Sequence, residues 1–150
     1  MTSNTVTENA YTGANLASSG GILVVGGPCF GTGLAYTVGL NVSKNTLSGN
    51  DVGVWLFNAD MDCNAPTLKT NNTVKFNTIS KDMVTNTTGF SSTCGYQAGV
   101  ADVGHKDLIV NNSISGFGYK PVGSDCNGTP PAFIRHVDTD SSARGVPSNK

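Results

Sequence analysis

The stretch Asn45-Thr46-Leu47-Ser48-Gly49-Asn50-Asp51-Val52-Gly53-Val54-Trp55-Leu56 decides how the rest of the chain is read. It opens on an asparagine followed by a polar, apolar, polar triplet, the period-two alternation of a half-buried strand. A run of Gly, Asn and Asp then marks a turn, and a second strand begins after a glycine. Three other segments fall into register with its first half and the residues just before it. The four read Val6-Thr7-Glu8-Asn9-Ala10-Tyr11-Thr12-Gly13, Val42-Ser43-Lys44-Asn45-Thr46-Leu47-Ser48-Gly49, Val74-Lys75-Phe76-Asn77-Thr78-Ile79-Ser80 and Ile109-Val110-Asn111-Asn112-Ser113-Ile114-Ser115-Gly116. Their shared pattern is apolar, two spacers, Asn, spacer, apolar, Ser or Thr. The asparagines Asn9, Asn45, Asn77 and Asn112 are spaced by 36, 32 and 35 residues.

A second strand-like segment follows each of them and opens on a small residue: Gly21-Ile22-Leu23-Val24-Val25, Gly53-Val54-Trp55-Leu56-Phe57, Gly99-Val100-Ala101-Asp102-Val103 and Ala132-Phe133-Ile134-Arg135-His136. Two linked segments therefore recur, which is the mark of a repeat architecture. Inward residues such as Val42, Leu47, Val54 and Leu56 are buried only when the next repeat stacks on them, about 4.8 Å away. An asparagine suits a stacked column because its amide both donates and accepts, so identical side chains can bond up and down the stack.

Together these features resemble the right-handed parallel β-helix repeat family, the pectate lyase-like superfamily that also holds polygalacturonases and many secreted proteins. The resemblance runs over about residues 4 to 137 and implies that Asn45, Asn77 and Asn112 stack as a ladder in a turn. The expected fold class is all-β, a right-handed parallel β-helix (solenoid) of about four coils over residues 1–138, with a polar C-terminal tail at 139–150. An ordinary sandwich with Asn and Gly at its hairpin turns is the alternative.

Composition narrows the classes further. The 150 residues are 37% hydrophobic and only 13% charged, with a net charge of −1. No basic surface is available for a phosphate backbone, so nucleic acid is not an expected partner. Gly, Asn, Thr and Ser take the place of charge and of good helix formers. No apolar run approaches the roughly 18 to 20 residues of a membrane span. Met1 to Thr12 is polar and does not read as a secretory signal. Neither Met1 to Asn4 nor Thr139 to Lys150 looks able to cap an open solenoid end, so a fragment of a longer protein, or end-to-end self-association, is expected.

The four cysteines fall in matching loops of neighbouring coils. Coil spacing lies within the Cα separation that a disulfide accepts, about 4.4 to 6.8 Å, so Cys29 is expected to pair with Cys63 and Cys94 with Cys126. Four cysteines allow three connectivities, and this is the one the stacking favours. None sits in a Cys-x-x-Cys pair, which argues against zinc. Disulfides place the chain in an oxidising compartment, secreted or at the cell surface. Sequons occur at Asn41, Asn71, Asn86, Asn111 and Asn127.

Candidates for chemistry are sparse. Asp102 and Arg135 share an offset in consecutive second strands and are expected to stack as an inter-coil ion pair, with His136, Asp138 and Asp140 close behind. An acid, a base and an arginine on one face would suit a polysaccharide lyase or glycoside hydrolase. The hydrolase pattern of the resembled family is missing, since no Asp-Asp pair occurs and Gly104-His105 is followed by Lys106. Asp60 and Asp62, in the loop that carries Cys63, are the candidate Ca²⁺ ligands, with simple solvation as the plainer role. Trp55 points away from Val54 and Leu56, either to stack on a sugar or to lie under a covering loop. Thr46 with Ser48, Thr78 with Ser80, Ser113 with Ser115 and Ala10 with Thr12 form outward columns like those of ice-binding solenoids.

Three classes of function follow. The leading one is a carbohydrate-associated β-helix module, non-catalytic as it stands or a fragment of a lyase or hydrolase. A structural or adhesive segment of a surface protein and an ice-binding protein are the others. No cofactor is expected apart from the Ca²⁺ option.

Overall fold

A computed structural model describes residues 1–13, 18–86, 95–121 and 132–150. They form eleven strands and no helix longer than a three-residue 3-10 turn. In chain order the strands are β1 (Thr5–Thr7), β2 (Gly20–Gly26), β3 (Asn41–Ser43), β4 (Thr46–Ser48), β5 (Val52–Asn58), β6 (Thr73–Lys75), β7 (Thr78–Ser80), β8 (Gly95–Val103), β9 (Leu108–Val110), β10 (Ser113–Ser115) and β11 (Ala132–Asp138). They pair only in parallel, in three sheets ordered β3-β6-β9, β1-β4-β7-β10 and β11-β8-β5-β2. The first repeat supplies β1 and β2 and each of the next three adds one strand to each sheet, which is a solenoid-like β architecture.

The three-residue strands turn an apolar central residue inward, and in all but β9 (Leu108-Ile109-Val110) it is the only apolar residue of the three. Val42, Val74 and Ile109 from the first sheet and Leu47, Ile79 and Ile114 from the second are buried. They pack with Ile22, Val24, Val54, Leu56 and Val100 of the third sheet into one core. In that sheet the alternation slips at Gly53, which faces the core together with Val54. A Cβ there would collide with Ile79 and with the carbonyl of Gly99. A small residue is required at this bend because the neighbouring repeat's backbone already fills the space.

The corner between the first two sheets holds the expected ladder, extended at both ends. Asn4, Asn45, Asn77, Asn112 and Asn149 form one column. Each rung sends its backbone N–H and its Nδ2 to the Oδ1 of the next, at 2.8 to 3.1 Å. The second Nδ2 hydrogen goes to a strand carbonyl of the preceding repeat, as from Asn77 to Val42, Asn112 to Val74 and Asn149 to Ile109. Ser3, Lys44, Phe76 and Asn111, the residues just before four of these asparagines, have φ between 54° and 57°. Such a conformation carries strain for any residue with a Cβ. The doubly bonded asparagine after each turn offsets it.

The expected register needs two corrections. Val6 lies opposite Leu47, so Asn4 and not Asn9 leads the first repeat, while Asn9 bonds to Asn50. Met1-Thr2-Ser3-Asn4-Thr5-Val6-Thr7 fits the repeat pattern as well as the frame five residues later. Only the first frame sets Val6 opposite Leu47, where it packs against the core. In the third sheet Arg135 lies opposite Ala98, whereas Asp102 lies opposite Leu56. The expected Asp102 and Arg135 ion pair is thus displaced by four residues along the strand, about 13 Å. Here β11 starts opposite Gly95 rather than Gly99, which brings Val137 beside Val100 in the core.

Residues 139–150 were expected to form a polar tail, but much of this segment is laid along the last repeat. Arg144 bridges to Leu108, its N–H donates to Asp107 O, and Asn149 adds the final rung of the ladder. At the other end Thr2 bridges to Ser43. Cys29 and Cys63 form the expected disulfide, with their Cα atoms 5.0 Å apart. Cys94 and Cys126 lie outside the described residues.

Candidate functional site

The residues singled out from sequence are spread over the molecule. Asp102 is buried, accepts a hydrogen bond from Thr139 Oγ1 at 3.1 Å, and has its carboxyl pushed up to about 8 by burial and by the neighbouring Asp107. Arg135 Nε lies 3.5 Å from Asp138, and Asp138 also accepts from the Tyr96 hydroxyl at 2.7 Å. Burial, then the charge of Asp138, holds that phenol well above its ordinary range. His136 is half-buried, with its carbonyl packed close over Gly99. Asp60 Oδ1 accepts the N–H groups of Asp62 and Asn64 at 3.0 and 2.9 Å, which shapes the loop carrying Cys63. Asp62 is exposed. Among the described residues no group of three or more His, Cys, Asp or Glu is placed to hold a metal ion. Trp55 is only 8% exposed and packs with Phe57 and Tyr96 at ring distances of 5.8 and 5.9 Å. It therefore offers no open stacking face.

A different place brings charged groups together. The chain leaves the second sheet at Glu8, Gly49 and Lys81, and these three stack in one column, since Glu8 N–H donates to Ser48 O and Gly49 N–H to Ser80 O, each at 2.9 Å. Gly49 has a φ of 70° and no side chain, and a Cβ on it would collide with the Glu8 carboxylate. The missing side chain lets Glu8 fold over the column towards Lys81. Lys81 Nζ donates to Gly49 O at 3.1 Å and lies 3.6 Å from Asp51 Oδ1. Burial holds the amine below its ordinary value, opposed by Asp51 and then by Glu8. In this column the repeat thus gives up a side chain at one level to make room for an ion cluster at the next.

The result is a cleft of about 350 Å³ lined by Glu8, Ser48, Ser80, Lys81, Asp82 and Thr85, with Ala10 and Met83 as apolar contributions. Its size is that of a small-molecule site. Its floor and far wall are held rigidly. Asp51 is fully buried, and its Oδ2 accepts Tyr11 N at 2.7 Å, Ser19 N at 3.2 Å and Asn86 Nδ2 at 3.0 Å. Its Oδ1 accepts no hydrogen bond among the described residues. The buried Gln97 fixes the wall, accepting Thr85 N and Asn86 N at 2.8 and 2.9 Å and donating to Gly118 O at 2.7 Å. Tyr119, also buried, donates to Asn50 O at 2.6 Å behind the same corner. Rigid support of this kind is what a binding site needs to hold its groups in place before a ligand arrives.

Sequence reasoning missed the cleft because its walls come from three repeats. With Asn9 taken as the first rung, Glu8 falls within the wrong turn. The signal that would have found it is the matched spacing of Asn4 to Asn9 and Asn45 to Asn50, which puts Glu8 above Gly49 and Lys81. Comparisons with protein-family models, with curated proteins and with solved structures return no match.

Proposed function

We propose that this protein is a right-handed parallel β-helix module, secreted or displayed at a cell surface, that binds carbohydrate in the cleft beneath Glu8 without catalysing a reaction. The cleft itself carries the proposal. Carboxylates, an ammonium, two serine hydroxyls and a threonine converge on a space of about 350 Å³. A sugar presents paired donors and acceptors at every hydroxyl, and this is the partner set such a lining offers. The Met83 side chain in the same wall offers apolar contact to a ring face. The Cys29–Cys63 bridge supports an oxidising location. The reading requires no cofactor. Ser80→Trp, at a half-buried position on the rim, is expected to fill the cleft and abolish binding in an oligosaccharide panel while leaving thermal unfolding nearly unchanged. Equal binding by the variant and the parent chain would exclude the cleft.

A second reading, an ice-binding face, is favoured by the register of the second sheet. Thr5, Thr46, Thr78 and Ser113 stand in one column, and Thr7, Ser48, Ser80 and Ser115 in the other. The corrected first repeat replaces Ala10 and Thr12 by two threonines, so every outward position carries a hydroxyl. These hydroxyls recur about every 4.8 Å across strands and about 6.8 Å along them. Thermal hysteresis that disappears in Thr78→Tyr is the expected result on this reading. No hysteresis in the parent chain would end it.

A further inference from the structure

We infer that the cleft, on the carbohydrate-binding reading, selects a cationic amino sugar over a uronate. The charges lining it set the preference. Glu8 and Asp82 are both exposed and border the opening, and Lys81 is the one cation among the lining residues. That ammonium is already engaged, 3.6 Å from Asp51 and hydrogen-bonded to Gly49 O. The amine therefore sits at the buried side, facing Asp51 and Glu8, while the exposed Glu8 and Asp82 line the opening. A uronate carboxylate entering here would meet like charge with no free cation to receive it. A protonated sugar amine would meet Glu8 and Asp82 with no opposing charge at the opening.

The geometry adds a place for that amine. Glu8 is folded over Gly49, where the absence of a Cβ leaves the carboxylate directed across the cleft rather than out along the sheet. Asp82 follows Lys81 directly in the chain, and the wall beyond it is anchored by Gln97. Ser48 and Ser80 line the same cleft and offer hydroxyls to a sugar. Asp51, fully buried behind Lys81 and 3.6 Å from its Nζ through Oδ1, holds the ammonium at the floor.

Calorimetric titration of the whole chain with tetramers of glucosamine, N-acetylglucosamine and galacturonic acid, in mildly acidic low-salt buffer, tests this. The glucosamine tetramer should bind tightest, by roughly fivefold for each carboxylate engaged, the scale of an exposed ion pair. The galacturonate tetramer should bind weakest. Raising the salt, or raising the pH through the titration of the sugar amine, should narrow the gap between the first two ligands. Glu8→Gln and Asp82→Asn, both at exposed positions, should each narrow that same gap by roughly fivefold. Equal affinity for the amine and its acetylated form, or stronger binding of galacturonate, would overturn the selectivity and leave the carbohydrate reading standing. Failure of all three tetramers and of neutral oligosaccharides to bind would overturn both.

Discussion

Asn77→Ala is expected to lower the free energy of unfolding by about 4 kcal/mol, whereas Asn4→Ala, at the end of the same ladder, should cost about 1 kcal/mol or less. The difference follows from position rather than residue type. Asn77 is 1% exposed, and its Oδ1 accepts both the N–H and the Nδ2 of Asn45 while its own Nδ2 donates to Asn112 Oδ1 and Val42 O. Truncation removes four side-chain hydrogen bonds and leaves partners in two neighbouring repeats without water to replace them. The exposed Asn4 side chain donates to Asn45 and Thr2 only, and solvent can take over both roles. Urea denaturation of the two variants and the parent measures the gap. Equal costs at the two positions would mean that the ladder does not act as a stacked column.

The second large effect is a stability that declines as pH rises. Asp102 is buried and its carboxyl is pushed up from 3.8 to about 8, first by burial and then by the charge of Asp107. Asp107 is itself fully buried and accepts Thr70 Oγ1 at 2.6 Å and Asn72 N at 2.7 Å, so donors already serve its charge. Asp102 Oδ1 meets no such donor, and the Asp107 carboxyl lies beside it over Gly104. Burial, and then the charge of the neighbouring Asp107, disfavours an ionised Asp102 and keeps its proton on. Between pH 3.8 and about 8 the folded chain keeps that proton and the unfolded chain releases it. The stabilisation is therefore complete below the lower value, declines by up to about 1.4 kcal/mol per pH unit, and is gone above the upper one. Asp102→Asn keeps the shape and removes the titration. Its unfolding free energy should be nearly flat across the same interval, and a slope equal to that of the parent chain would refute the assignment.

Most of the fold was legible in the sequence, and the reason is physical. Stacked repeats put the same demand on Asn45, Asn77 and Asn112, and on Leu47, Ile79 and Ile114, so the same residue types recur at those places. The loops that bring Cys29 to Cys63 were found for the same reason. Register was less visible where a repeat deviates. Two frames five residues apart fit the first repeat, and only the pairing of Val6 with Leu47 and of Asn4 with Asn45 distinguishes them. In the last repeat His136 occupies the place held by Gly53 and Gly99, so the small residue that should have marked the strand was the wrong landmark.

The candidate site was hardly legible at all. Its residues are exceptions to the repeat: Glu8, Gly49 and Lys81 share a column without sharing chemistry. A reading based on what recurs passes over such positions. Gln97 and Asn86 were equally hidden, because a buried amide that anchors a loop leaves no periodic trace. By contrast Trp55, the residue most suggestive of a sugar platform in sequence, is enclosed by Phe57 and Tyr96.

The binding cleft is the central claim, and amide chemical-shift mapping of the isotopically labelled chain against a titrated oligosaccharide tests it most directly. Shifts concentrated at Ser48, Gly49, Ser80, Lys81, Asp82 and Met83, saturating with ligand, are the predicted result. Saturable shifts confined to the outward residues of the second sheet, such as Thr5, Thr46, Thr78 and Ser113, or no shifts with any oligosaccharide, would contradict it.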